Sequence, residues 1–268
     1  MSAPAPILVA DRVSKIFQIR KGADVIALSN LSLTVNEGEF ICIVGASGCG
    51  KSTLLNMFAG FMQPSSGTVS LRGQPITKVE PRCGMMFQQY ALFPWKTVRS
   101  NIEYPLRLRG ADRGERRKVA QRFINMVQLT DFGDHYPAEL SGGMQQRAAL
   151  ARLLAGDPEV LLMDEPFAAL DAMTRQVLQE ELLNIQEKSG KTILFITHNL
   201  DEALTLGDKI VVLSSRPGRV KAVIENTLPR PRHVADQLRP EFLALKAQVW
   251  SQVEEEVHKH VQSAQAEH

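Results

Sequence analysis

The chain has 268 residues, 44% of them hydrophobic and 22% charged, and its 31 basic and 29 acidic side chains leave a net charge of +2. That length exceeds the usual span of about 100–200 residues for one domain and fits one large α/β domain with an insertion, or two small domains; the near-neutral balance argues against bulk affinity for nucleic acid. No run approaches the ~18 apolar residues that cross a bilayer, Met1 to Pro6 lacks the basic and apolar regions of a secretory leader, and Cys42, Cys49 and Cys83 show no metal or disulfide spacing. Reduced thiols and a cytosolic setting are therefore expected, with any membrane role running through a partner.

In chain order, Ile7–Ala10 and Ala27–Val35 alternate in polarity and read as short strands. The apolar run Phe40 to Val44 then leads into Gly45-Ala46-Ser47-Gly48-Cys49-Gly50-Lys51-Ser52-Thr53, and Leu54 to Phe58 continues as a helix. Strand, glycine-rich loop and helix in this order form a Walker A phosphate loop. The glycines let backbone N–H groups curl around phosphate oxygens, and the helix offers its positive end to the same anion. Gly45, Ser47, Gly48, Cys49, Gly50, Lys51, Ser52 and Thr53 are thus candidates for holding a nucleotide. Lys51 reaches the β- and γ-phosphates, and the Ser52 hydroxyl suits Mg²⁺.

Residues 66–73 and 82–87 read as further strands. From about residue 97 to 155 the character changes to helical: Val119, Phe123, Met126 and Val127 recur at helical spacing. Ser141 opens another helical stretch through Leu154. Val160–Met163 and Thr192–Ile196 are wholly apolar, as buried parallel strands are, with a helix from Ala172 to Lys188 between them and a further strand at Ile210–Leu213. Beyond about residue 223 comes a tail. Pro229-Arg230-Pro231-Arg232 reads as an extended linker. After Pro240, Phe242, Leu245, Val249, Val253 and Val257 line one helical face, suited to packing on the core or to binding a partner.

Asp164 ends an apolar strand, where its carboxylate can hold Mg²⁺ through water, and Glu165 beside it can polarise a water for attack on the γ-phosphate. In Leu140-Ser141-Gly142-Gly143-Met144-Gln145-Gln146-Arg147, Ser141 is a helix N-cap, and two glycines, poor helix formers, expose the first N–H groups. This is a second anion-binding helix end in the same chain. One nucleotide scarcely needs two from one subunit, whereas a head-to-tail dimer places one from each around the same ATP.

Walker A, the Ser-Gly-Gly motif, the Asp-Glu pair and the late His198, in this order, resemble an ATP-binding-cassette (ABC) ATPase across residues 7 to about 222. The resemblance implies an α/β P-loop core with an N-terminal antiparallel β subdomain and an α-helical subdomain, about 89–155, inserted in a RecA-like core. Residues 1–222 would form the ATPase domain and 223–268 a linker and amphipathic helical tail. On the matching positions it implies that Phe17 stacks on adenine, against the plainer reading of a core aromatic. Gln88, with Gln89 as the adjacent register, would sense Mg²⁺ and the attacking water. Ser141, Gly142 and Gly143 would meet the γ-phosphate on the opposite subunit, Asp171 would lie at the dimer interface, and His198 would contact the γ-phosphate. Ala168 stands where relatives often carry Ser or Gly, and Asn199 where many have Asp.

Phe93-Pro94-Trp95, Asp201-Glu202-Ala203, Arg216-Pro217-Gly218-Arg219 and Leu228 to Arg232 are similar to importer ATPases of the nitrate/sulfonate/taurine type. That implies a homodimer using ATP and Mg²⁺, peripheral at the cytoplasmic face of the inner membrane. It would drive a permease fed by an extracytoplasmic solute-binding protein. Lys51, Ser52 and Asp164 would hold the charged phosphates, Glu165 would act as base, and Gln88 and His198 would position water and phosphate. Tyr90, Phe93 and Trp95 form an aromatic cluster suited to permease docking or to internal packing. A soluble ABC ATPase acting on nucleic acid or in translation is the alternative. Its best support is the basic run Arg107, Arg109, Arg113, Arg116, Arg117, Lys118 and Arg122; a single cassette and a short insertion weigh against it.

Overall fold

The structure, a computed structural model, describes residues 6–19, 23–87 and 90–266. The alternating N-terminal segments form two long antiparallel strands, β1 (Pro6–Phe17) and β2 (Val25–Asn36). β1 extends well beyond the expected Ile7–Ala10. Its pairing with β2 shifts register between Ala10 and Val13, where Arg12 sits at φ 48°, and such a bulge interrupts the period-2 pattern by which a strand is read. After β3 (Phe40–Val44) and α1 (Lys51–Phe58), the chain returns through β4 (Ser66–Leu71) and β5 (Gln74–Pro75). These complete a four-stranded antiparallel sheet of order β2-β1-β4-β5.

The second sheet holds β3 with β6 (Cys83–Met86), β7 (Val160–Asp164), β8 (Thr192–Ile196), β9 (Lys209–Leu213) and β10 (Val220–Glu225). Its order is β10-β9-β3-β8-β7-β6, parallel except for β10. All five residues of β3, β7 and β8 are buried because both faces are covered. Phe40, Cys42, Leu161, Met163, Ile193 and Phe195 point into one apolar cluster, and Ile41, Ile43, Val160, Leu162, Leu194 and Ile196 into another. The second cluster is completed by α1 and the antiparallel sheet.

Between β6 and β7 lie α2 (Val98–Leu108), α3 (Arg113–Met126) and α4 (Gly142–Ala155), followed after β7 by α5 (Ala172–Ser189) and after β8 by α6 (Leu200–Leu206). Thr97, Asp112, Ser141, Asp171 and Asn199 each cap the helix that follows, their side-chain oxygens accepting from its first free N–H groups. Asn199 does this with its amide oxygen, so Asp is not required there for the cap.

The expected boundary at residue 222 falls inside β10, so the sheet runs on to Glu225. Residues 229–232 are also not a free linker. The Arg230 guanidinium donates to Asp208 Oδ1 at 2.6 and 2.9 Å, and Arg232, 6% exposed, donates to the carbonyl oxygens of Gly207 and Leu228 at 2.8 and 3.1 Å. They fix the segment that leads to α7 (Pro240–Ala266), whose Phe242, Leu245, Val249 and Val253 are buried in the first cluster; the Val257 side chain lies outside the described ones. Between core packing and an unpartnered face, the described part of this stripe takes the former. Replacing a fully buried phenylalanine removes its transfer energy and leaves a cavity. Phe242→Ala should therefore lower stability by about 3–4 kcal/mol in urea unfolding, whereas an unchanged midpoint would mean that the tail is not part of the folded core.

Candidate functional site

The parallel strands β3, β8 and β7 lie side by side, and their C-terminal ends open onto one edge of the sheet. Ligands bind at such edges in α/β sheets because loops, not strands, leave polar groups free there. β3 delivers the glycine-rich loop. Gly50 sits at φ 97°, and a Cβ there would lie 2.9 Å from the Ala27 carbonyl oxygen and 2.5 Å from Leu28 Cδ2; only glycine fits both demands. No side chain caps α1, so none competes with a ligand for its first N–H groups. Lys51 is buried and donates to the carbonyl oxygens of Gly45 and Ala46 at 2.8 and 2.9 Å.

β7 ends on Asp164, 7% exposed. Burial pushes its carboxyl up from the ordinary aspartate range; a hydrogen bond from the Ser52 hydroxyl opposes this, the Glu165 charge adds to it and Lys51 opposes it. Glu165 follows at φ 49°, a conformation costly for a residue with a side chain. Its N–H donates to the Ile196 carbonyl oxygen at 3.1 Å, and its carbonyl oxygen accepts from Gln146 Nε2 at 3.2 Å. Its carboxylate lies 3.4 Å from His198 Nδ1, and His198, just past β8, is largely exposed to the cleft.

Together these elements enclose a cleft of about 580 Å³. Phe17, Gly45, Ser47, Gly48, Gly50, Lys51, Ser52, Thr53, Asp164, Glu165 and His198, all expected from sequence, line it, along with Val25, Ala27 and Arg216. Phe17 is 38% exposed at the cleft rim with Lys15 Nζ 5.5 Å from its ring centroid, and so is not a core aromatic. Cys49, also expected there, does not line the cleft: the residue is buried and its N–H donates to the Ala46 carbonyl oxygen at 3.3 Å. Gln88 and Gln89 lie outside the described residues. Ser141, Gly142, Gly143 and Asp171 do not line this cleft. Ser141 and Gly142 are exposed on another part of the surface, and a Cβ at Gly143 would lie 3.2 Å from the Ala169 carbonyl oxygen.

Besides Val25 and Ala27, two polar residues of the site were not singled out as such from sequence. Arg216 was read only as part of a family marker. Gln146, 3% exposed, donates to the Glu165 carbonyl oxygen and accepts from Ala169 N–H at 3.1 Å. It ties the helix begun by Ser141 to the turn bearing Glu165 and to the loop before Asp171. A glutamine next to the glycine motif was visible in the sequence, but only packing reveals which carbonyl it meets.

Comparison with known proteins agrees with this geometry. The ABC transporter family model matches residues 28–168. An uncharacterized ABC transporter ATP-binding protein of Methanocaldococcus jannaschii is 48% identical over 252 residues, covering 94% of this chain and 93% of that protein. A nitrate import ATP-binding protein of Synechocystis is 46% identical over 217 residues, 81% of each chain. A dimeric ATP-binding cassette in a post-hydrolysis state, bound to ADP and phosphate, superposes with a TM-score of 0.77 at 34% identity, over 83% of this chain and all of that one. The chain belongs to the ABC transporter family. It is an ABC transporter ATPase with the P-loop cassette fold, a mixed α/β core carrying an antiparallel N-terminal sheet and a helical region.

Behind His198 lies a buried acid. Glu202 accepts from Thr197 Oγ1 at 2.5 Å and from Gln179 Nε2 at 3.1 Å, with Arg175 Nε at 3.8 Å. Burial is the largest influence and raises its carboxyl above the ordinary glutamate value of 4.5, against the Thr197 hydrogen bond and the Arg175 charge. A carboxyl raised in the folded state stabilises below its unfolded pKa, and that contribution is lost as pH rises through the folded one. Glu202→Gln, which stays neutral, should therefore gain in melting temperature relative to the parent as pH rises from 4.5 toward 8. A gap that is flat or narrows across that range in thermal scans would contradict the assignment.

Proposed function

We propose that this chain is the ATP-hydrolysing subunit of an importer for a small solute of the nitrate/sulfonate/taurine type. Two copies close head to tail on two ATP molecules and move a membrane permease. The observation that carries this reading is the division of the anion-binding surface. Lys51, Ser52, Asp164 and Glu165 share one cleft, while Ser141 to Gly143 present a capped helix end with no place in it. A second copy supplies the missing half.

In this reading adenine stacks on Phe17, and the phosphates lie against the N–H groups of Gly48 and of Gly50 to Thr53, with Lys51 swinging from its loop carbonyls onto the β- and γ-oxygens. Ser52 and Asp164 fit a hard divalent cation. They are oxygen donors in contact at a strand end, one of them a buried carboxylate held against a burial cost, and Mg²⁺ typically takes one or two carboxylates plus phosphate oxygens. When bound there, Mg²⁺ neutralises charge on the phosphate oxygens. Glu165 takes the proton from a water whose oxygen attacks the γ-phosphorus; the bond to the β-bridging oxygen breaks, giving ADP and phosphate. His198 and Gln88 position the γ-phosphate and that water. Loss of the γ-contact releases the Ser141–Gly143 end of the partner copy, and Asp171 at the adjoining helix start belongs to the same interface.

No helix among the described residues is long and apolar enough to cross a membrane, so coupling needs a docking surface. A groove of about 510 Å³ between β6, α2 and α4 is lined largely by apolar side chains, among them Met86, Phe87, Tyr90, Phe93, Tyr104 and Leu108. Trp95 stands next to Phe93, ring centroids 5.7 Å apart, and is 70% exposed. Tyr90 Oη lies 3.6 Å from where a Cβ on Gly142 would be, joining this surface to the glycine motif. We assign it to the permease, and the subunit to the cytoplasmic membrane face.

Glu165→Gln should lower ATP turnover by about 100-fold or more while an ATP-dependent dimer accumulates in size-exclusion chromatography. Tagged, this variant should recover a polytopic permease from detergent-solubilised native membranes. Full turnover would remove Glu165 as the base, and recovery of nucleic acid without membrane protein would overturn transport. Ser141→Arg should abolish hydrolysis yet leave ATP affinity of the monomer within about twofold, since the motif acts across the dimer. Parallel loss of monomer binding would refute the two-copy site.

A further inference from the structure

The candidate cleft contains a cation that neither phosphate-binding motif supplies, and the tail helix contacts the residue before it. After β9 the chain turns through residues 214–219, and Arg216 enters the cleft wall beside Gly48, its Nε donating to the Gly48 carbonyl oxygen at 3.1 Å. Its guanidinium has no carboxylate within ion-pair distance among the described residues, leaving N–H donors for a ligand.

The turn is wedged between β2 and the phosphate loop. Gly218 N–H donates to the Ala27 carbonyl oxygen at 2.9 Å, and Ser29 N–H donates to the Gly218 carbonyl oxygen at 3.1 Å. A Cβ at Gly218 would lie 2.0 Å from the Cys49 carbonyl oxygen, so the approach is as close as backbones allow. The residue before Arg216 is held from the other side. Glu256 of α7, 2% exposed, accepts from Ser215 N–H at 2.7 Å and from Ser215 Oγ at 3.0 Å, with Lys221 Nζ 3.1 Å away. A buried carboxylate is tolerated only where donors and a cation meet it, and here two donors come from one residue, the neighbour of Arg216.

We infer that Arg216 is a nucleotide-contacting residue, donating to the polyphosphate of bound ATP, and that Glu256 is the positioning residue that aims it, so nucleotide affinity depends on the seated tail. This rests on the cleft being the nucleotide site. A guanidinium paired with phosphate makes a charge-assisted hydrogen bond that a braced but distant arginine does not.

The test is a titration of ATP onto the full-length protein at two salt concentrations. Parent, Arg216→Ala, Arg216→Lys, Glu256→Gln and the double variant Arg216→Ala/Glu256→Gln are compared. Arg216→Ala should weaken ATP binding about tenfold and flatten its salt dependence, and Arg216→Lys should recover most of both. Glu256→Gln should weaken binding alone but add nothing to Arg216→Ala. Unchanged affinity in Arg216→Ala overturns the contact, and additive losses overturn the positioning role. If Glu256→Gln does not fold, Ser215→Ala, which removes one of the two donors, takes its place in the same cycle. A parent protein that binds no ATP would instead sink the nucleotide-site reading itself.

Discussion

The parallel register of β3, β8 and β7 is the constraint on which the rest depends. Ile43 pairs with Ile196, and Ile196 with Asp164, so the phosphate loop, the Asp164–Glu165 pair and His198 leave the sheet at one level. The loop precedes the acidic pair and His198 by more than a hundred residues of chain, and backbone pairing brings all of them to one edge of the sheet. A one-residue slip would exchange the two apolar faces of every strand. With one cluster formed by helices and the other by α1 and the antiparallel sheet, both exchanges would expose or crowd large side chains. The register of the candidate site is therefore protected by the whole core.

What lies at that edge is less relaxed than the core beneath it. Asp164 is a carboxylate held where burial disfavours its charge, and Glu165 occupies a left-handed backbone conformation. Such features persist only where surrounding contacts over-determine them. Here those contacts are the Ile196 carbonyl oxygen, taken by Glu165 N–H, and the Gln146 amide, which meets the Glu165 carbonyl oxygen. In the proposed reading a divalent cation beside Asp164 would relieve that charge and offset the repulsion that phosphate alone would add.

Much of this was legible in the chain. Five-residue apolar runs marked the buried parallel strands, and the glycine loop, the Asp-Glu pair and the Ser-Gly-Gly motif are local patterns whose chemistry follows from residue type and spacing. The second half of β1 was not legible, because Arg12 and the register shift break its alternation. Nor was the role of Arg230 and Arg232. Two arginines between prolines read as linker, and only Asp208 and the carbonyl oxygens of Gly207 and Leu228 show what they hold. Glu202 and Gln146 look like ordinary polar positions on amphipathic helices; their burial arises from neighbours far away in sequence. Arg216 lay in a recognisable segment, but its entry into the cleft depends on the contact of Gly218 with Cys49, across 168 residues between Gly48 and Arg216.

Gln146 and Glu256 show one way a cassette can sense what lies outside its own cleft. Gln146 grows from the helix whose N-terminus meets a second copy in the proposed dimer, and it grips the turn that carries this copy's Glu165. A displacement of that helix by a partner's nucleotide would be felt at Glu165 through a single amide with both ends occupied, since neither hydrogen bond can follow the helix without moving the main chain of Glu165 or Ala169. Glu256 is the counterpart on the opposite side, joining the tail to the segment beside the phosphate loop. Neither residue needs to touch a nucleotide. Each is buried and fully engaged, and a buried polar group that loses one partner costs far more than an exposed one. Shifts at either end are thus transmitted rather than absorbed, which is the property a subunit needs if closure on ATP is to do work on another protein.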